Sequence, residues 1–128
     1  MIEMTKEQKK ELVKRIVPEM ILKVAKESKN FHYSEQESIE NFNGDTFQEY
    51  VDNKIENENY ILKTKESYGG YEGTEEVIKL VYSLTSKVDN SKIYFRINGW
   101  YNVWNNNEWS GFDIVEPKEV RKIEWIKQ

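Results

Sequence analysis

KIYFRINGWYNVW, residues 92 to 104, is the stretch on which the reading of this chain turns. Ile93, Phe95 and Ile97 alternate with Tyr94, Arg96 and Asn98, the period of a strand with one face on a core and the other turned away. The run Glu76–Ser86 alternates as well, with Ile78, Leu80, Tyr82 and Leu84 on one face and Val77, Lys79, Val81 and Ser83 on the other. Asp89 and Asn90 between the two runs are turn formers, so the pair predicts an antiparallel hairpin closed by a tight turn. Gly99 falls where the alternation is handed on to Trp100 and Tyr101, which predicts a bulge or sharp bend that re-aims those rings.

Outward from the hairpin, Tyr60–Ser67 reads as an earlier strand, joined through the turn-rich SYGGYEG of Ser67–Gly73. After the Asn105–Asn107 turn, Trp109–Val115 reads as a short strand that Pro117 ends, and Val120–Ile126 as an edge-capable last strand.

The first half has a different period. Thr5 with Gln8 makes a capping box ahead of a stripe of Leu12, Val13, Ile16, Val17, Met20, Ile21 and Val24, which predicts a helix that Pro18 kinks. Ser34 with Glu37 predicts a second helix ending near Gly44. Asp45 with Gln48 predicts a third, with Phe47, Tyr50, Val51 and Ile55 on one face. The expected fold is α+β: N-terminal helices over residues 1–58, packed on one face of an antiparallel sheet of about four to five strands over residues 59–128, in a single domain.

The net charge of −4 conceals a partition. Met1–Asn30 holds eight basic residues against five acids, Phe31–Glu58 one against eight, and the remainder ten of each. The basic start could attract phosphates or anionic lipid, but a lysine-rich face is also what a core-packing helix shows to water. The acids around Glu49, Asp52 and Glu56 could imitate a phosphate ladder, and acidic helix surfaces are equally common on ordinary domains.

With no cysteine, disulfides, zinc thiolates and thiol nucleophiles are excluded. No run of about 18 apolar residues is present to span a bilayer. His32 has no second histidine to work with, Asn43–Asp45 supplies too few oxygens for a calcium loop, and the glycines of SYGGYEG lack the Lys-Ser/Thr ending of a phosphate loop. Acid pairs such as Glu75 with Glu76, or Glu108 with Asp113, arise readily among 23 acids. The reading is of a protein without enzymatic activity, metal or cofactor. Recognition is left: Tyr94, Arg96, Trp100, Tyr101, Trp104 and Trp109 are residue types enriched at binding hot spots, and also types that pack under helices. Tyr94, Arg96 and Trp100, opposite Ile93, Phe95 and Ile97, are the ones expected on the open face.

The runs YEGTEEVIKLV, KIYFRINGWYNVWNNNEWSGFDIVEPKEV and EWIK, spanning about Tyr68–Lys127, resemble small uncharacterised accessory proteins of bacteriophages and prophages. Those share a GGxEG-like turn, a YFRxxG[YW]Y strand, an EW turn and a VxPKEV stretch; Asn102 and Val103 stand here where Ser-Ser is frequent. The resemblance attaches no activity to any residue. It implies a host-cytoplasmic setting and an anti-defence inhibitor of anti-CRISPR type, bound to a host defence protein or a protein–nucleic acid effector complex. Glu49, Asp52 and Glu56, or Tyr94, Arg96, Trp100, Tyr101 and Trp104, would make the contact, with direct nucleic-acid binding and membrane association not expected. The alternatives are a sponge for a cyclic nucleotide or other signalling molecule, and a structural phage protein that forms a homo-oligomer through the last strand.

Overall fold

A computed structural model describes residues 3–68, 77–101, 107–118 and 125–127. The elements run α1 (Lys6–Lys26), α2 (Ser34–Glu40), α3 (Gly44–Tyr50), β1 (Lys54–Glu56), β2 (Tyr60–Tyr68), β3 (Val77–Ser86), β4 (Lys92–Trp100) and β5 (Glu108–Val115). All strands are antiparallel to their neighbours and lie in sequence order, β1-β2-β3-β4-β5, as one meander. The expected α+β arrangement is present, with the helices against one face of the sheet. No helix among the described residues is long and apolar enough to cross a membrane.

The α1 N-terminus is closed as its capping box predicts: the Gln8 N–H donates to Thr5 Oγ1 at 3.1 Å, and the Thr5 N–H donates to Gln8 Oε1 at 2.8 Å. Pro18 lies inside one continuous helix and removes a single backbone donor from its ladder. Val13, Val17, Met20, Ile21 and Ala25 are buried along the apolar stripe, which is what holds the helix together across the proline.

The next two helices start differently from the sequence expectation. Tyr33, not Ser34, precedes α2, and no side chain caps it. The α2 C-terminus is a Schellman closure: the Phe42 N–H donates to the Ile39 carbonyl and the Asn43 N–H to the Ser38 carbonyl, at 3.2 and 2.9 Å. Phe42 therefore sits at φ +56°, a position that glycine usually takes. Its ring explains the exception, because it is 3% exposed and stacks on Phe112 at 4.2 Å between centroids. Burial of a large aromatic outweighs a left-handed backbone cost of about 1–2 kcal/mol. Asn43 leaves that closure extended and caps α3, its Oδ1 accepting from the Thr46 N–H. The cap is thus two residues earlier than Asp45.

Ile55 belongs to no helix. The chain leaves α3 at Val51 and turns into β1, where Ile55 pairs with Leu62; its i+4 spacing from Val51 imitates a helical period across a turn.

The hairpin of β3 and β4 is in place, in a register that pairs Leu84 with Ile93, Tyr82 with Phe95 and Leu80 with Ile97. Its loop is four residues, Lys87–Asn90, rather than a two-residue turn, closed by the Ser86 N–H donating to the Ser91 carbonyl. Asn90 supplies the left-handed conformation at φ +62°, and hydrogen bonds from Ser91 hold the Asp89 carboxyl below the usual range. The expected strand Val120–Ile126 falls largely outside the described residues. Of these, Trp125 and Ile126 are exposed.

The core lies between the helices and the inner face of the sheet. Phe42, Phe47, Tyr82, Phe95 and Phe112 make a continuous set of ring contacts, with Tyr82 stacked on Phe95 at 5.4 Å and Phe47 edge-on to Tyr82 at 5.8 Å. Burial keeps the Tyr82 hydroxyl protonated well above its ordinary range.

Candidate binding face of the sheet

The faces of β4 separate cleanly. Ile93, Phe95, Ile97 and Gly99 are buried toward the helices, while Tyr94, Arg96 and Asn98 are half-buried on the outer face and Trp100 is 49% exposed. Alternation runs unbroken through Gly99, so the expected bend there is absent from β4. The irregularity is on β5, which carries one more residue than β4 between the pairs Ile97–Phe112 and Gly99–Trp109. Gly111, at φ +103°, lies within that bulge.

Gly99 serves close approach instead. A Cβ there would stand 2.4 Å from the Trp109 ring and 2.7 Å from the Glu108 carbonyl oxygen, and one on Gly44 would also stand 2.4 Å from Trp109. The indole is thus clasped between a glycine of α3 and a glycine of β4. Its Nε1–H donates to Asp45 Oδ2 at 3.1 Å, and Asn107 Nδ2 donates to Asp45 Oδ1 at 3.2 Å. Trp109, one of the six recognition-type residues, is therefore an internal fastener between α3 and the sheet. Tyr101 is half-buried and packs against the core as well. Trp104 lies outside the described residues.

Arg96 is held by its neighbours. Its Nε donates to Asn98 Oδ1 at 3.0 Å, Asn98 Nδ2 donates to Asp113 Oδ2 at 3.0 Å, and Arg96 Nη2 lies 3.9 Å from the same Asp113 oxygen. Asp113 faces Arg96 across the β4–β5 pair, and the triad fixes the plane of the guanidinium while leaving part of its donor fork open. Tyr94 flanks it two residues away on the same face. Trp100 stands four residues further along, about 13 Å at strand rise.

The three acidic candidates do not form one surface. Glu49 is exposed on α3 and Asp52 is exposed after it, whereas Glu56 lies in β1 on the outer face of the sheet. Lys87 Nζ sits 3.0 Å from Glu56 Oε2 and, by that hydrogen bond, holds its carboxyl below the usual range. Glu35 accepts a short hydrogen bond from the Tyr50 hydroxyl, whose own proton is held more tightly by burial and by that carboxylate. Glu56 and Glu35 thus serve separate local partners.

Sequence reasoning passed over the residues that complete the outer face. The β2–β3 register shifts between Thr64 and Glu66, which leaves Lys65 as an extra residue on β2. Strict alternation turns consecutive residues to opposite faces, yet Lys65 and Glu66 both line an open cleft of about 380 Å³ with Tyr94, Arg96, Val115 and Lys118. Nothing in the alternating run YILKTKES marks the bulge. Asn98 shares the face of Arg96 by alternation along β4, and Asp113 joins the pair only through strand register. No family model, no curated protein and no solved structure matches the chain.

Proposed function

We propose that the protein is a binding protein, an inhibitor of anti-CRISPR type encoded by a phage, which occludes a host defence effector with the outer face of its sheet. The observation that carries this reading is the row Tyr94, Arg96, Asn98 and Trp100: a half-exposed indole at one end and an arginine already oriented by Asn98 and Asp113. Tryptophan, tyrosine and arginine are the residue types that carry most binding energy at protein interfaces. An arginine held in place before contact loses less conformational freedom on binding. The phage setting rests on the resemblance of residues 68–127 to phage accessory proteins.

Nucleic-acid mimicry by the acids is the weaker version of the same reading. Glu49, Asp52 and Glu56 are divided between α3, the turn after it and β1, and Glu56 is already paired with Lys87. A phosphate ladder needs its charges in one evenly spaced row.

Affinity capture from a lysate of the bacterial host tests the proposal. The double variant Arg96→Glu/Trp100→Ala is expected to lose the captured effector, while the variant with Glu49, Asp52 and Glu56 neutralised keeps it. Retention by the first and loss by the second would transfer the function to the acids; steep weakening with added salt would accompany that outcome.

A further inference from the structure

The outer-face cleft carries an arrangement that a flat protein-docking surface does not require. Three cations reach it from three separate segments: Lys65 from the β2 bulge, Arg96 from β4, and Lys118 from the segment after β5. Among the described residues, neither Lys65 nor Lys118 is ion-paired. Tyr94, Val81, Val115 and Pro117 give it an apolar and aromatic wall, and Glu66 and Glu116 place two carboxylates at its rim. Its volume of about 380 Å³ lies in the range of small-ligand sites, about 300–1,000 Å³.

We propose that this cleft binds a phosphate-bearing small molecule of mononucleotide size. The phosphate lies against Lys65, Arg96 and Lys118, the flat ring against Tyr94, and the sugar hydroxyls donate to Glu66 or Glu116. The β2 bulge is the device that makes the site, because without the extra residue Lys65 and Glu66 would face opposite sides of the sheet. Arg96 contributes the guanidinium donors that Asn98 leaves free, in a plane already set by the triad. A fixed guanidinium suits bidentate contact with phosphate, and two lysines supply point charges for the remaining oxygens. Aromatic stacking of a base tolerates any ring identity, so the proposal concerns a chemical class and no particular base.

Calorimetric titration at low salt with AMP, adenosine and inorganic phosphate as probes tests it, on the full chain. AMP is expected to bind saturably, and adenosine at least about tenfold more weakly. Lys65→Glu and Arg96→Gln should each weaken AMP by about tenfold or more, at unchanged melting temperature, with Trp100→Ala binding AMP as the unaltered chain does. Amide shifts in an AMP titration of the unaltered protein should cluster on Lys65, Tyr94 and Lys118, a readout that no variant can confound. Adenosine binding as tightly as AMP, Lys65→Glu binding AMP unchanged, or no saturation at millimolar AMP would each overturn the proposal. Effector capture separates it from the protein-docking function: Trp100→Ala should weaken capture and spare AMP.

Discussion

Side chains one residue apart on β4 meet opposite surroundings. Phe95 touches Phe42, Tyr82 and Phe112 and is wholly buried; Arg96 beside it touches Asn98 and Asp113 and keeps about a third of its side chain in contact with solvent. The inner face is satisfied within the molecule, whereas the outer face holds oriented polar and aromatic groups with unused capacity. The difference teaches that a run of aromatics is not one surface. In this chain Phe95, Phe112 and Trp109 build the fold, while Tyr94 and Trp100 stand on the outer face, partly open to solvent.

The largest effect expected from breaking that comparison is on the inner face. Phe95→Ala should cost about 3–5 kcal/mol in urea unfolding, since it opens a cavity among the rings of Phe42, Tyr82 and Phe112. Trp100→Ala should stay within about 1 kcal/mol, because half of its indole is already in water. A comparable loss in both would mean that the outer face is also structural.

Next comes the clasp on Trp109. Gly99→Ala should cost about 1–3 kcal/mol, because a methyl group meets both the indole and the Glu108 backbone oxygen. Trp109→Ala is itself destabilising, yet combined with Gly99→Ala it should recover part of the clash. A coupling of about 0.5–3 kcal/mol in a double-mutant cycle is expected, and strict additivity would mean that the two do not touch.

A smaller effect appears at high pH. Burial raises the folded-state pKa of the Tyr50 and Tyr82 hydroxyls above their ordinary value of 10.0, with Glu35 adding to the effect at Tyr50. The unfolded chain therefore releases these protons first, so their stabilisation is complete below about pH 10 and is lost as pH rises beyond it. Chemical unfolding across pH 8 to 11 should show a decline that Tyr50→Phe makes shallower, and tyrosinate absorbance should account for these two rings only on unfolding. The smallest effect belongs to Glu56: its lowered pKa makes any contribution present above the ordinary glutamate range and lost in acid, but the pair with Lys87 is exposed. Glu56→Gln should leave the melting temperature at neutral pH unchanged.

The sequence showed these faces unevenly. Period-2 alternation placed Ile93, Phe95 and Ile97 inside and Tyr94 and Arg96 outside, and the capping box located the start of α1, because both signals are local. What failed was non-local. Val51 and Ile55 are four apart whether or not a turn intervenes, so their spacing predicts helix where β1 lies. Gly99 signalled a special backbone position, but its reason is the ring of Trp109 on the adjacent strand. The Lys65 bulge, and the place of Asp113 beside Arg96 and Asn98, depend on strand register, which composition does not encode.

The most direct test of the division between the faces is effector capture measured beside the melting temperature for Arg96→Glu/Trp100→Ala. The outer-face account predicts a melting temperature close to that of the unaltered chain and a loss of captured effector of about tenfold or more. Undiminished capture by this folded variant would contradict it.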